Sequence, residues 1–182
     1  ATIGRIRPEK GTDRFVAAML RLLPDQPGLT ALVIGRAAKS DQPFLDRLKA
    51  QIAAAGLTDH ILFPGEVAPD ALPALTRSLS AVVQLPRYEG YGMTPLEGMA
   101  SGVPFVATDT GYFRSFSSQG QTGLIVPDEP DNAADALASI LSDPDRHAAM
   151  SRAARDIACT HFSVRTEAET IARVYEDLWS GA

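Results

Sequence analysis

Short apolar runs rich in β-branched residues alternate along this chain with longer stretches whose apolar positions recur every three or four residues. The runs at Thr2-Ile3-Gly4-Arg5-Ile6, 31–34, 61–63, 81–85, 104–107 and 123–126 read as six strands. After the first, Phe15, Val16, Met19, Leu20 and Leu23 share one face of a helix that Thr12 caps and Pro24 stops. Leu45, Leu48 and Ile52 line the inner face of a second helix, over 43–55, with Gly56 as a left-handed terminator. The spacing predicts further helices over 70–79, 94–100, 132–141, 144–159 and, after a Ser163 cap, 164–179. Strands that are apolar on nearly every residue belong to a parallel sheet covered on both faces, because a half-exposed sheet would alternate. Right-handed crossovers then give an α/β fold, a three-layer α/β/α, Rossmann-like, doubly wound sheet of about six strands. With no repeat or internal linker, residues 1–182 read as one domain.

Composition narrows the partners. The 182 residues hold 17 Lys+Arg against 22 Asp+Glu, a formal charge of −5 with no basic cluster, which argues against a nucleic-acid surface. A single cysteine, Cys159, excludes an internal disulfide and makes a reducing cytoplasm the expected compartment; on an alanine-rich helix face it is expected to be buried and inert. No apolar run reaches the roughly 18 residues of a spanning helix, so no membrane contact is expected from this domain. A strand starting at Thr2 with no element before it suggests one lobe of a longer protein.

In an open parallel sheet, ligands bind beyond the carboxyl ends of the strands, and two loops at such ends carry chemistry. Gly4-Arg5-Ile6-Arg7-Pro8-Glu9-Lys10-Gly11 puts cations and two glycines where the chain leaves the first strand. That suits a phosphate, since Arg offers a fork of donors and Lys a mobile point charge. It matches neither the Rossmann glycine fingerprint nor the Walker pattern, and a solvated turn would look the same. Glu89-Gly90-Tyr91-Gly92-Met93-Thr94-Pro95-Leu96-Glu97 sets two carboxylates eight apart around a Gly-x-Gly turn and a helix start. The turn presents free N–H groups and a partial positive charge to an anion, while Glu89 and Glu97 border one pocket. A carboxylate pair also serves glycosidases, but acids flanking an anion-binding helix start are better placed to hydrogen-bond sugar hydroxyls.

Other polar residues are less informative. His60, His147 and His161 fall at helix ends or solvent-facing positions, beside no plausible nucleophile, and Ser115, Ser117 and Ser118 read as a polar turn. The stripe Ile171, Val174, Tyr175, Leu178 and Trp179 reads as core, although a partner lobe could share it.

Gly4-Arg5 through Lys10-Gly11, Gly65-Glu66-Val67 and Glu89 through Glu97 occur in an order and spacing that resemble the carboxy-terminal, nucleotide-sugar-binding half of retaining glycosyltransferases of the two-lobed GT-B fold, in the family-4 group. The Glu-x7-Glu element is that family's signature, and the resemblance covers essentially the whole chain. "GRIRPEKGTDRFV" and "ILFPGEV" look most like bacterial lipopolysaccharide-core mannosyltransferases.

The resemblance implies that Arg5 and Lys10 grip the donor diphosphate, with backbone N–H groups around Gly92, Met93, Thr94 and Leu96. It implies that Glu89, the candidate catalytic residue, binds the donor sugar together with Gly90 and Tyr91, that Glu97 holds the ribose, and that the backbone near Val67 meets the base. It further implies transfer with retention of configuration and a metal-free departure of the nucleoside diphosphate, in keeping with the expectation that no Asp-x-Asp metal motif is present, and no cofactor. The donor would be a nucleoside-diphosphate sugar, GDP-mannose favoured and a UDP-sugar also open, and the acceptor a surface glycan or glycolipid. Where the family carries Gly-Gly-x-x-Glu, this chain has Gly111-Tyr112-Phe113-Arg114-Ser115, and Tyr112 is expected to crowd a close backbone approach. Two other readings stay open: a stand-alone nucleotide-sugar binding module without catalysis, and an epimerase of similar architecture, which would lack Glu-x7-Glu.

Overall fold

The computed structural model describes residues 1–180. Six strands, β1 (Thr2–Ile3), β2 (Ala31–Ile34), β3 (Ile61–Gly65), β4 (Val82–Gln84), β5 (Phe105–Thr108) and β6 (Gly123–Val126), pair in parallel. The helices among the described residues are α1 (Thr12–Leu22), α2 (Gln42–Ala54), α3 (Leu72–Arg77), α4 (Met93–Ala100), α5 (Phe113–Ser117), α6 (Pro130–Leu141), α7 (Pro144–His161) and α8 (Val164–Ser180).

The strands form two ladders, β1-β2-β3 and β4-β5-β6. The Val83 amide donates to the Ala1 carbonyl at 2.8 Å, and Gln84 Nε2 donates to the Ile3 carbonyl at 3.0 Å. These bonds lay β1 against β4, so the spatial order is 3-2-1-4-5-6. Winding therefore reverses between β1 and β4, the switch point at which doubly wound sheets open a crevice.

Successive residues of β4 and β5 feed opposite faces. Val83 and Val106 join the cluster of Phe15, Met19, Leu48, Leu137 and Ile140 under α1, α2 and α6. Val82, Phe105 and Ala107 join Leu96, Met99, Phe113, Phe116 and Ala154 under α4, α5 and α7. Burial on both sides is why these strands carry no polar alternation.

Several expectations are corrected. β1 proper covers only Thr2–Ile3; Gly4 takes φ 148°, yet the Gly4 and Ile6 amides still donate to the Ile34 and Arg36 carbonyls at 2.9 Å. The N-cap of α1 is Gly11, and Thr12 is the first helical residue. Between β5 and β6 lies a helix that periodicity does not reveal: α5 spans only five residues, too few for a repeat, yet buries Phe113, Phe116 and Ser117. Cys159 is exposed; the inward face of α7 is Met150, Ala154 and Ala158, and the next residue points about 100° away. The α8 stripe is not core among the described residues: Ile171, Val174, Tyr175, Leu178 and Trp179 are all exposed, Trp179 at 85 %. Helical periodicity reports that a face is apolar but not what covers it. The Ser163 cap holds, its Oγ accepting from the Thr166 amide at 3.2 Å.

Candidate functional site

The loop after β1 runs through a short 3₁₀ turn, Pro8–Lys10, to Gly11 at φ 68°. A Cβ at Gly11 would lie 1.8 Å from the Leu85 carbonyl oxygen, so only glycine lets the start of α1 press against the end of β4. Arg5 is exposed and borders two spaces. One is a small hollow shared with Lys10, Thr12 and Gln84; the other is an open cleft of about 630 Å³ shared with Gly35, Arg36, Glu66 and Val67.

The loop after β4 makes its turn at Gly92, φ 101°, the N-cap of α4. A Cβ there would stand 2.0 Å from the buried Phe113 ring, so α5 supports the turn from below. The opening turn of α4 leaves N–H groups without intrahelical partners. Thr94 Oγ1 sits 3.5 Å from the Ile3 carbonyl, which brings this helix start over the end of β1.

Side chains then join the loops across the switch point. Lys10 Nζ donates to Glu89 Oε2 at 2.8 Å, both side chains largely shielded. The Arg87 amide donates to the Glu9 carbonyl at 2.9 Å. The Arg87 guanidinium grips both Asp13 oxygens at 2.8 and 2.6 Å and also reaches the Pro8 carbonyl. Burial works against the Asp13 charge, but the hydrogen bonds and positive charge of Arg87 prevail and hold its carboxyl below the usual carboxylate range. Tyr91 and Tyr112 stack, and the Tyr112 amide donates to the Tyr91 carbonyl at 3.0 Å. Tyr112 stands about half exposed beside the turn.

Lys10 and Glu89 thus meet beyond the ends of β1 and β4, Thr94 lies over the end of β1, and Arg5 borders both spaces, with Val67 in the open cleft; Tyr91 and Met93 instead line a separate hollow with Leu96, Phe162 and α8. Leu96 buries its side chain and has only its backbone to offer. Glu97 lies exposed on α4, lines neither space and has no side-chain hydrogen bond among the described residues. An Asp-x-Asp sequence does occur, Asp143-Pro144-Asp145, but it caps α7, Asp143 accepting from the Arg146 amide at 3.0 Å. Sequence reasoning missed the Arg87–Asp13 clamp and the place of Arg36 in the cleft wall. Arg87 and Asp13 are 74 residues apart, and no local pattern pairs them.

Cations, two helix starts and a carboxylate meet at the switch point of a doubly wound lobe, a setting whose chemistry suits an anion. The chain belongs to the family described as Glycosyl transferases group 1, which matches residues 1–157. It is 44 % identical over 178 residues to the lipopolysaccharide core biosynthesis mannosyltransferase LpsB of Rhizobium meliloti, covering 96 % of this chain and 50 % of that protein. The chain therefore spans about half the length of such a relative. It superposes on the crystal structure of the C-terminal domain of a glycosyl transferase group 1 family protein, LpcC, of Francisella tularensis with TM-score 0.85 and 32 % identity, covering 90 % of this chain and 85 % of that one. It is also similar to Anabaena HepE in complex with UDP-glucose, with TM-score 0.86 and 26 % identity over 97 % of this chain and 48 % of HepE. These matches accord with a GT-B lobe of α/β class.

Proposed function

We propose that this chain is the donor-binding half of a retaining hexosyltransferase, a mannosyltransferase that extends a surface glycan such as the lipopolysaccharide core, with the acceptor held by a second, amino-terminal lobe. The observation that carries the reading is the meeting of Lys10 and Glu89 between the starts of α1 and α4. Similarity to the mannosyltransferase LpsB supports the sugar, and GDP-mannose is the favoured donor; the HepE complex keeps a UDP-sugar as the competitor to test.

On this reading Arg5 and Lys10 pair with the diphosphate, and the amides of Gly92, Met93, Thr94 and Leu96 face its oxygens. These donors stabilise charge that grows as the bond from the anomeric carbon to phosphate breaks, which lowers the barrier more than equal binding of the intact donor could. Glu89, Gly90 and Tyr91 hold the sugar. The Val67 backbone meets the base in the cleft beside Arg5, and Glu97 turns inward to the ribose. Lys10 exchanges its Glu89 partner for phosphate when the donor arrives, which leaves Glu89 free for sugar hydroxyls. The parent enzyme works in the cytoplasm, where nucleotide sugars are made, and no described helix is long and apolar enough to cross a membrane.

A thermal-shift panel of GDP, UDP, ADP and their sugars tests the reading. A ligand that binds only the native state raises its melting temperature, so GDP and GDP-mannose should give the largest shifts. Lys10→Ala should weaken nucleoside-diphosphate binding by roughly 1.5–3 kcal/mol, the scale of a charge-assisted hydrogen bond. A chain that no nucleotide stabilises would refute the donor site.

A further inference from the structure

We propose that Arg87 is a positioning residue for the donor site: its fork onto Asp13 is a lasting clamp that keeps the Lys10 turn and the Glu89 loop at one spacing while Lys10 itself changes partners. The inference rests on the reading of Lys10 as a ligand of the donor diphosphate.

Lys10 closes the short turn Pro8–Lys10 after β1, and Glu89 lies 79 residues on, in the loop after β4. Arg87 stands two residues before Glu89, and Asp13 three residues after Lys10, so this second pair crosses the same seam from just outside the first. The Arg87 guanidinium meets both Asp13 oxygens at 2.8 and 2.6 Å and also reaches the Pro8 carbonyl. Its main-chain amide donates to the Glu9 carbonyl at 2.9 Å. One residue thereby fastens the start of the turn, the position before Lys10, and the helix that follows.

The two ion pairs differ in kind. Lys10 makes a single bond to Glu89 from the end of a flexible stem, and an arriving anion can take its place. Arg87 makes a planar, two-bond fork with a carboxylate and holds two main-chain carbonyls besides, so its release would cost several hydrogen bonds together. An arginine committed in this way is a strut between loops and has little left to offer a ligand.

The difference matters once Lys10 turns to phosphate, because the loops then lose the bond between Lys10 and Glu89. A tie that survives the exchange keeps the ammonium within reach of the same anion as the opening amides of α4, and a small misplacement of such groups is costly. Arg14, donating to the Leu85 carbonyl at 3.3 Å, steadies the base of the seam further from Glu89. The clamp side chains are 41 % and 32 % exposed, so cutting the pair leaves the core packed and lets an effect on binding be read apart from one on stability.

The test is titration calorimetry of the 182-residue chain with GDP and, in parallel, UDP, read on whichever nucleotide the parent binds. Arg87→Ala and Asp13→Asn should each weaken binding about 3- to 10-fold, and the double variant should lose no more than either single change. Asp13→Glu, which keeps a carboxylate for the fork, should regain most of the loss, and the urea midpoint of the free chain should move little throughout. If Arg87→Ala weakens binding while Asp13→Asn leaves it equal or tighter, Arg87 is itself a phosphate ligand. Losses that multiply in the double variant, unchanged binding in every variant, or failure of Asp13→Glu to regain affinity would likewise overturn the positioning role. Each of these results leaves the donor site standing. A parent chain that binds neither nucleotide would overturn the donor site, and the clamp's part in it as well.

Discussion

Lys10 donates to Glu89 at 2.8 Å, so on the proposed reading a diphosphate competes with a carboxylate for the ammonium. Replacing Glu89 by Gln removes the competitor. Glu89→Gln should bind GDP as tightly as the parent or up to about 1 kcal/mol more tightly, the scale of a partly exposed ion pair, while losing whatever extra affinity the hexose supplies. Calorimetry with GDP and GDP-mannose reads both effects, and weaker GDP binding would show that Glu89 helps hold phosphate. The Arg87–Asp13 clamp has its own signature. Asp13 titrates below its unfolded-state value near 3.9, so the folded state binds fewer protons there. Its stabilisation is full above that value and is lost as pH falls through the lower folded value. Parent and Asp13→Asn should therefore differ modestly in urea stability at neutral pH, by less than about 1 kcal/mol for so exposed a pair, and converge in acid. A gap that persists at low pH would mean that Asp13 acts other than through its charge.

At the scale of elements, the site exists because two helices begin where neighbouring strands end, and glycine sets both approaches. Gly11 combines a left-handed φ of 68° with a would-be Cβ 1.8 Å from the Leu85 carbonyl oxygen, a clash with backbone that no rotamer relieves. Gly11→Ala should destabilise the fold by about 2 kcal/mol or more, read as a lower urea midpoint at unchanged m. Nucleotide binding should fall further than stability alone explains, because α1 and the Lys10 loop must back away from β4. Elements also show where sequence patterns lose their force. The six strands and the long helices are legible because burial imposes runs and periods on them. The five residues of α5 carry no period, although they buttress Gly92 through Phe113 and the tyrosine pair through Phe116.

On the scale of the whole molecule, the chain covers 50 % of the length of LpsB, and on the proposed reading it holds one wall of a two-lobed cleft. Transfer needs donor and acceptor held together, and most of the gain from orienting two reactants is missing when one has no site. The chain alone should bind the donor nucleotide yet transfer sugar to lipopolysaccharide-type acceptors only at background, measured with labelled GDP-mannose. Turnover at a rate typical of intact enzymes would refute the two-lobed reading. The apolar face of α8, with Trp179 85 % exposed, belongs to this scale too, since nothing within the described residues covers it.

The amino-acid order alone determined the α/β class, the strands and the two loops that carry Arg5, Lys10, Glu89 and Glu97, because burial and turn chemistry act on residues close along the chain. It also carried the Glu-x7-Glu spacing by which the family is recognised. Only the tertiary structure decided which distant residues meet. Lys10 finds Glu89 and Arg87 finds Asp13 across 79 and 74 residues, and Tyr112 comes to rest on Tyr91. Those meetings follow from the 3-2-1-4-5-6 strand order, which places the end of β1 beside the end of β4, and strand order is set by how the whole sheet packs rather than by any local period.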